Sequence, residues 1–352
     1  MRKVVIVLIS VIMSLSICDY IIGKFWLSSM MVDLKSGVRM VDNPKIVYEF
    51  IPKAYVIDGF VNNQGFKDSD FILEKPGNLI RIAMLGDSIT QGIFVPLGET
   101  FSDELEKLLN LRARETQSPL RYEVMNFGVG GYNLQAEVQI LKEKVLTYKP
   151  DIVVLNSFFN DDEPIPALEA FFISNPGNLS EHEQILLIKK YAYDNNSIIR
   201  KIERDVLYRS SLYLFLAYKL PGLTISRDRR RLSRIKNLFS HHLVADDCIS
   251  GNFGEIDKLR KQYGFRFLIC VHPLFTDLED TLNKAIIRWA SSFNFDYFLM
   301  SSYYKREKLT YKHLQLENKP QDLCHPNKFG HTLIAEAIFT ELKKHNFIES
   351  GG

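Results

Sequence analysis

Leu79-Ile80-Arg81-Ile82-Ala83-Met84-Leu85-Gly86-Asp87-Ser88 reads as a short buried strand that stops at a glycine and hands the chain to a serine. The apolar run Leu79 to Leu85 is strand-sized and is bounded by Pro76-Gly77 and Gly86, residues that punctuate local structure. A helical segment follows at Phe101 to Asn110, with Glu104, Lys107 and Asn110 on its polar side. The alternation then repeats. Tyr122 to Phe127 is a second strand, Leu134 to Leu146 an amphipathic helix stopped by Lys149-Pro150, and Ile152 to Leu155 a third strand. Further on come a helix at Phe253 to Tyr263, a strand at Phe265 to Val271, a helix at Leu278 to Ser291 and a strand at Tyr297 to Met300. A closing helix covers Lys328 to Lys344. Short apolar strands alternating with helices predict an α/β fold, a doubly wound parallel five-stranded sheet in a three-layer α/β/α sandwich. Ligands of such sheets bind at the carboxyl ends of the strands.

Outward from that core, residues 24–78 read as an irregular lead-in with short extended pieces, and the main domain as 79–345. A mostly helical insertion at about 162–252 interrupts it after the third strand. The insertion carries an aromatic stretch, Tyr208 to Tyr218, and a basic run of Arg227, Arg229, Arg230, Arg231, Arg234 and Lys236. A solvated helix face and a contact with anionic lipid or acidic polysaccharide both explain such a run. At the N-terminus, Arg2 and Lys3 precede an apolar segment from Val4 to Cys18 that Tyr20 to Gly23 extend beyond Asp19. Residues 1–23 read as a signal anchor, or as a signal peptide removed after export. The positive flank keeps the N-terminus inside and places the rest outside the cytoplasm, with the membrane as a partner.

Composition narrows the function classes. The 352 residues are 46% hydrophobic and 24% charged, which fits a full-sized globular core. A net charge of +2 argues against nucleic acid as a partner. The four cysteines, Cys18, Cys248, Cys270 and Cys324, lack paired metal-type spacing. One disulfide among the last three and buried free thiols both remain open.

Three strand ends and one C-terminal loop carry the chemistry. Gly86-Asp87-Ser88 sets a serine at the start of a helix, where amide groups and the helix dipole favour developing negative charge. Asn126-Phe127-Gly128-Val129-Gly130-Gly131 closes the second strand with glycines that let backbone approach a ligand. Asn160-Asp161-Asp162 follows the third strand, and its asparagine either donates to an oxyanion or caps a helix. Asp322-Leu323-Cys324-His325 precedes the last helix and offers a carboxylate and an imidazole three residues apart, the base and its orienting acid that a serine nucleophile needs. His272-Pro273 ends the fourth strand, and its histidine reads as a structural one, with lining of the substrate cleft as the alternative.

Taken in order, these four segments resemble the blocks of the SGNH (GDSL) hydrolase superfamily of lipases, esterases and acyltransferases, over about 79–157 and 253–345. The resemblance implies a flavodoxin-like strand order and assigns each role. Ser88 is the nucleophile, His325 the base and Asp322 its acid. The Ser88 amide, Gly131 and Asn160 form the oxyanion hole. One position departs from the pattern: Phe158 stands where the family usually has glycine, two residues before Asn160. The implied reaction is serine-esterase cleavage of an acyl ester on a small molecule, glycan or lipid, with no metal or organic cofactor. An O-acyltransferase using the same triad, and a non-catalytic glycan-binding module of the cell envelope, are the rival readings.

Overall fold

The computed structural model describes residues 2–27, 32–33, 37–43, 45–56, 59–162, 202, 207–219, 243–275, 283–317, 319 and 322–348. The basic run from Arg227 to Lys236, most of the insertion and the start of the helix expected from Leu278 lie outside them. The chain divides into two units, Met1–Tyr48 with Leu168–His241, and Glu49–Ala167 with His242–Gly352.

In the first unit, α1 spans Arg2–Ile22. The stretch Val5–Trp26 has a mean hydropathy of 2.5, and its 22 residues suffice to cross a bilayer, which needs about 20. Asp19, an acid within that apolar stretch, is satisfied locally. Its carboxylate accepts the Ser210 hydroxyl at 2.6 Å and the Leu212 amide at 2.9 Å, at the start of a short helix, Ser211–Lys219. Trp26 meets Phe215 of that helix edge-on at 4.9 Å.

The second unit is built on five parallel strands: β1 (Leu79–Gly86), β2 (Arg121–Asn126), β3 (Ile152–Ser157), β4 (Arg266–Val271) and β5 (Asp296–Leu299). Their order is β5-β4-β3-β1-β2, the flavodoxin-like arrangement. The winding reverses between β1 and β3, where Gly86 pairs with Asn156, so the crevice opens beside Gly86. Its helices include α2 (Ser88–Gln91), α3 (Phe101–Glu115), α4 (Leu134–Glu143), α5 (Leu243–Tyr263), α6 (Lys284–Ser292) and α7 (Lys328–Lys344), with two short ones, Met300–Arg306 and Tyr311–Leu314, between α6 and α7. α3 packs with α7, while α5 packs with α4 and α6. Side chains alternate across the strands. Ile82 and Met84 therefore join Phe101, Leu105, Ile334 and Ile338 in one core cluster.

Local chemistry explains the main boundaries. Thr100 and Asp103 form a reciprocal capping box that starts α3, and Asn327 caps α7 through the Gly330 amide at 2.9 Å. The helix expected over Leu134 to Leu146 ends at Glu143 and gives way to a 3₁₀ turn, Val145–Tyr148. The helix expected from Phe253 starts at Leu243, because Ile249, Phe253 and Ile256 share one buried helical face despite polar residues around Asp246. The fifth strand begins one residue early, at Asp296, and Met300 is buried at the start of the next helix.

Arg81 interrupts the apolar run of β1 yet is 1% exposed. Its guanidinium donates to Glu123 at 2.6 Å, to the Tyr148 carbonyl at 2.9 Å, and to the carbonyls of Ile72, Leu73 and Glu74. A buried charge this fully paired fastens residues 72–74 to the sheet.

Candidate active site

The turn after β1 presents Ser88 as the first residue of α2. Asp87 caps the helix, its carboxylate accepting the Ile89 amide at 2.9 Å. Burial pushes the Asp87 carboxyl up to about 6, against the hydrogen bond from Ile89. The turn after β2 comes close to this helix. At Gly128 an added Cβ would lie 2.2 Å from the Gln91 nitrogen and 2.5 Å from the Thr90 carbonyl carbon, so only glycine fits. Asn126 ties the two turns together: its Nδ2 donates to the Thr90 carbonyl at 2.8 Å and its Oδ1 accepts the Gly128 amide at 2.9 Å. Gly130 donates its amide to Gln91 Oε1 at 2.7 Å, and Gly131 takes a φ of +83°, a glycine conformation.

The loop before α7 closes the site. His325 Nε2 lies 2.8 Å from Ser88 Oγ, and His325 Nδ1 lies 2.7 Å from Asp322 Oδ2. The other carboxylate oxygen, Asp322 Oδ1, accepts the amides of Cys324 and His325 at 3.1 and 3.0 Å. Burial acts to raise the Asp322 carboxyl, but the hydrogen bonds from the His325 amide and ring and the Cys324 amide outweigh it and hold it below the usual range. With Nδ1 donating to that carboxylate, Nε2 is left as the acceptor facing the serine hydroxyl. Chemically this is a serine, a base and an orienting acid in one hydrogen-bonded series.

Asn160 is buried in the 3₁₀ turn after β3, and its Nδ2 donates to the Tyr132 carbonyl at 2.9 Å, next to Gly131. Phe158, the departure from the resembled pattern, sends its side chain into the core, while its amide donates to Asp161 Oδ2 at 3.0 Å. His272 is 2% exposed, with Nε2 3.3 Å from both Asn156 Oδ1 and Cys270 Sγ. Burial lowers its imidazole to about 3, so it is a neutral structural group. Cys270 and Cys324 are free thiols. Among the described residues, the donor atoms of Asp322, Cys324 and His325 lie within 4.8 Å of one another, a metal-ligand grouping, but Asp322 and His325 direct theirs to each other and to Ser88.

Sequence reading did not single out three residues around the site. Glu137 on α4 is buried, and neither of its carboxyl oxygens has a hydrogen-bond partner. Burial, with Asp161 and Asp87 nearby, raises it well above the ordinary range. Phe94 sets its ring edge-to-face with the His325 imidazole, centroids 5.8 Å apart. Lys67, from the lead-in, is buried behind α2. An alternating-pattern reading treats Glu137 as a solvent-facing helix position and Lys67 as a surface loop residue, so neither gives a sequence signal.

No known protein family matches this sequence, and no curated protein matches it. Among solved structures, it is similar to a two-domain esterase active on acetylated mannans, crystallised with mannopentaose, at 16% identity and a TM-score of 0.41. That alignment covers 78% of this chain and 52% of the esterase, so the chain spans about half of that protein's length. It is also similar to an acetylxylan esterase from Geobacillus stearothermophilus, in a catalytic mutant form, at 14% identity and 0.43 over 77% and 96% of the chains. A third similar structure is TesA, at 13% and 0.40 over 75% and 98%.

Proposed function

We propose that this protein is a serine ester hydrolase of the SGNH type, acting through an acyl-enzyme on Ser88. The observation that carries the reading is the unbroken series Ser88 Oγ, His325 Nε2, His325 Nδ1 and Asp322 Oδ2, with separations of 2.8 and 2.7 Å, at the switch point of the sheet. His325 takes the Ser88 proton as Oγ attacks the ester carbonyl, and Asp322 stabilises the imidazolium that forms. The tetrahedral oxyanion is met by the Ser88 amide, the Gly131 amide and the Asn160 side chain, each such donor contributing about 100- to 1000-fold in rate. His325 then returns the proton to the departing alcohol. Water, activated by the same imidazole, attacks the acyl-enzyme carbonyl and releases the acid. The substrate is an acyl ester of a glycan, lipid or small molecule outside the cytoplasm. α1 anchors the chain, with Arg2 and Lys3 at its inner end.

The test is covalent. Full-length protein in detergent is treated with a fluorophosphonate, and peptide mass spectrometry locates the adduct. The reading expects one adduct, on Ser88, that disappears in His325→Ala. Absence of Ser88 labelling in folded wild type would contradict it.

A further inference from the structure

Phe94 takes a φ of +69°, a conformation that bulky side chains rarely adopt. Such strain costs on the order of 1–3 kcal/mol and persists only where the surroundings over-determine it. Here one buried side chain joins the backbone hydrogen bonds that hold the turn. Lys67 is 1% exposed, and its Nζ donates to the Gly92 carbonyl at 2.9 Å and to the Val95 carbonyl at 2.7 Å. Those two carbonyls bracket Phe94. The Val95 amide also donates back to Gly92 at 3.1 Å, and the Ile93 amide donates to the Ser88 carbonyl at 3.2 Å, so the turn hangs from the serine itself. The next lead-in residue fixes the clamp from the other side: Asp68 Oδ2 accepts the Asn126 amide at 2.8 Å.

The clamped turn delivers its ring to the catalytic base. Phe94 lies edge-to-face with His325 at 89° between planes, and the Lys319 ammonium stands 4.1 Å from the ring centroid. In the proposed reaction His325 Nε2 hands its proton to the leaving alcohol. The alcohol half of the ester therefore passes the imidazole that Phe94 flanks, while the acyl carbonyl faces Gly131 and Asn160 on the turns after β2 and β3.

Resting on that catalytic reading, we infer that Phe94 and Lys319 are specificity-determining residues that contact the alcohol half of the ester, and that Lys67 is the positioning residue that holds Phe94 there. The alcohol this pair suits is a sugar. Its carbon–hydrogen face packs on an aromatic ring, and its ring and hydroxyl oxygens accept from an ammonium.

The experiment compares full-length wild type, Phe94→Ala, Lys67→Met and Lys67→Arg on glucose pentaacetate, ethyl acetate, p-nitrophenyl acetate and p-nitrophenyl butyrate. Phe94→Ala is expected to lower kcat/KM about tenfold more for glucose pentaacetate than for ethyl acetate, a loss of the size that pocket contacts supply. The ratio between p-nitrophenyl acetate and butyrate, which reports the acyl side, stays within about twofold in that variant. Lys67→Met reproduces the selective loss, and Lys67→Arg, which keeps a buried donor, restores much of it. Equal losses on all four esters in Phe94→Ala, or a changed acetate-to-butyrate ratio instead, would overturn the inference and leave the esterase reading intact. Because Phe94 is half-buried, that variant decides the matter even where Lys67→Met does not fold. A folded wild type inactive on every ester would overturn the catalytic reading and this inference with it.

Discussion

Gly128 sits so close to Gln91 that a methyl group on it would stand 2.2 Å from the Gln91 backbone nitrogen. The turn after β2 and the helix bearing Ser88 are thus in backbone contact, with Asn126 bonding across both. This contact is what places the proposed oxyanion donors beside the proposed nucleophile.

Gly128→Ala should push these two turns apart, since the Gln91 nitrogen and the Thr90 carbonyl carbon are backbone atoms that cannot swing away. The variant is expected to lose about 3 kcal/mol of stability or fail to fold, and any folded fraction should show a lower kcat. Chemical denaturation with parallel kinetics reads both effects.

Arg81→Lys tests the fastening of residues 72–74. One ammonium cannot replace a planar guanidinium bonded to Glu123 and four carbonyls. A loss of about 3 kcal/mol is expected, from carbonyls left unpaired in the interior. A variant as stable as wild type would show that these bonds contribute little.

Glu137→Gln tests the raised carboxyl buried on α4. A carboxyl raised by folding contributes stability that is present below its unfolded value, near 4.5, and is lost as pH rises toward the folded one. The amide does not titrate. The melting temperature of Glu137→Gln relative to wild type should therefore climb as pH rises above 4.5. A constant difference between pH 4 and 8 would mean that Glu137 is ionised in the folded protein.

Asp322→Asn preserves shape but removes the charge that holds Nδ1–H of His325. The amide can donate to Nδ1 and stabilise the tautomer with its proton on Nε2, facing Ser88. A fall in kcat of about four orders of magnitude is expected, with little change in KM. A loss below tenfold would place the orienting acid elsewhere.

Much of this frame was legible in the sequence because its signals are local. Four of the five strands are short apolar runs closed by glycine, asparagine or histidine, and the closing helix over Lys328 to Lys344 has an asparagine cap and a buried helical face. Ser88, Asp322 and His325 stood out because residue type and order carry the chemistry. What escaped is non-local. Lys67 and Arg81 are charged residues whose burial depends on carbonyls supplied by other segments, and nothing in their own neighbourhoods announces it. Phe94 has no propensity for a left-handed backbone, and the Lys67 and backbone hydrogen bonds around its turn come from positions that its own sequence neighbourhood does not announce. The early start of α5 was hidden by Asp246, Asp247 and Ser250, whose polarity masks the burial of Ile249, Phe253 and Ile256 one face away.

The most direct measurement is hydrolysis of p-nitrophenyl acetate by purified full-length protein, wild type against Ser88→Ala, with melting curves to establish that both are folded. The account predicts measurable wild-type turnover and a fall in kcat of about three orders of magnitude or more in Ser88→Ala. Equal rates in the two folded proteins would contradict it.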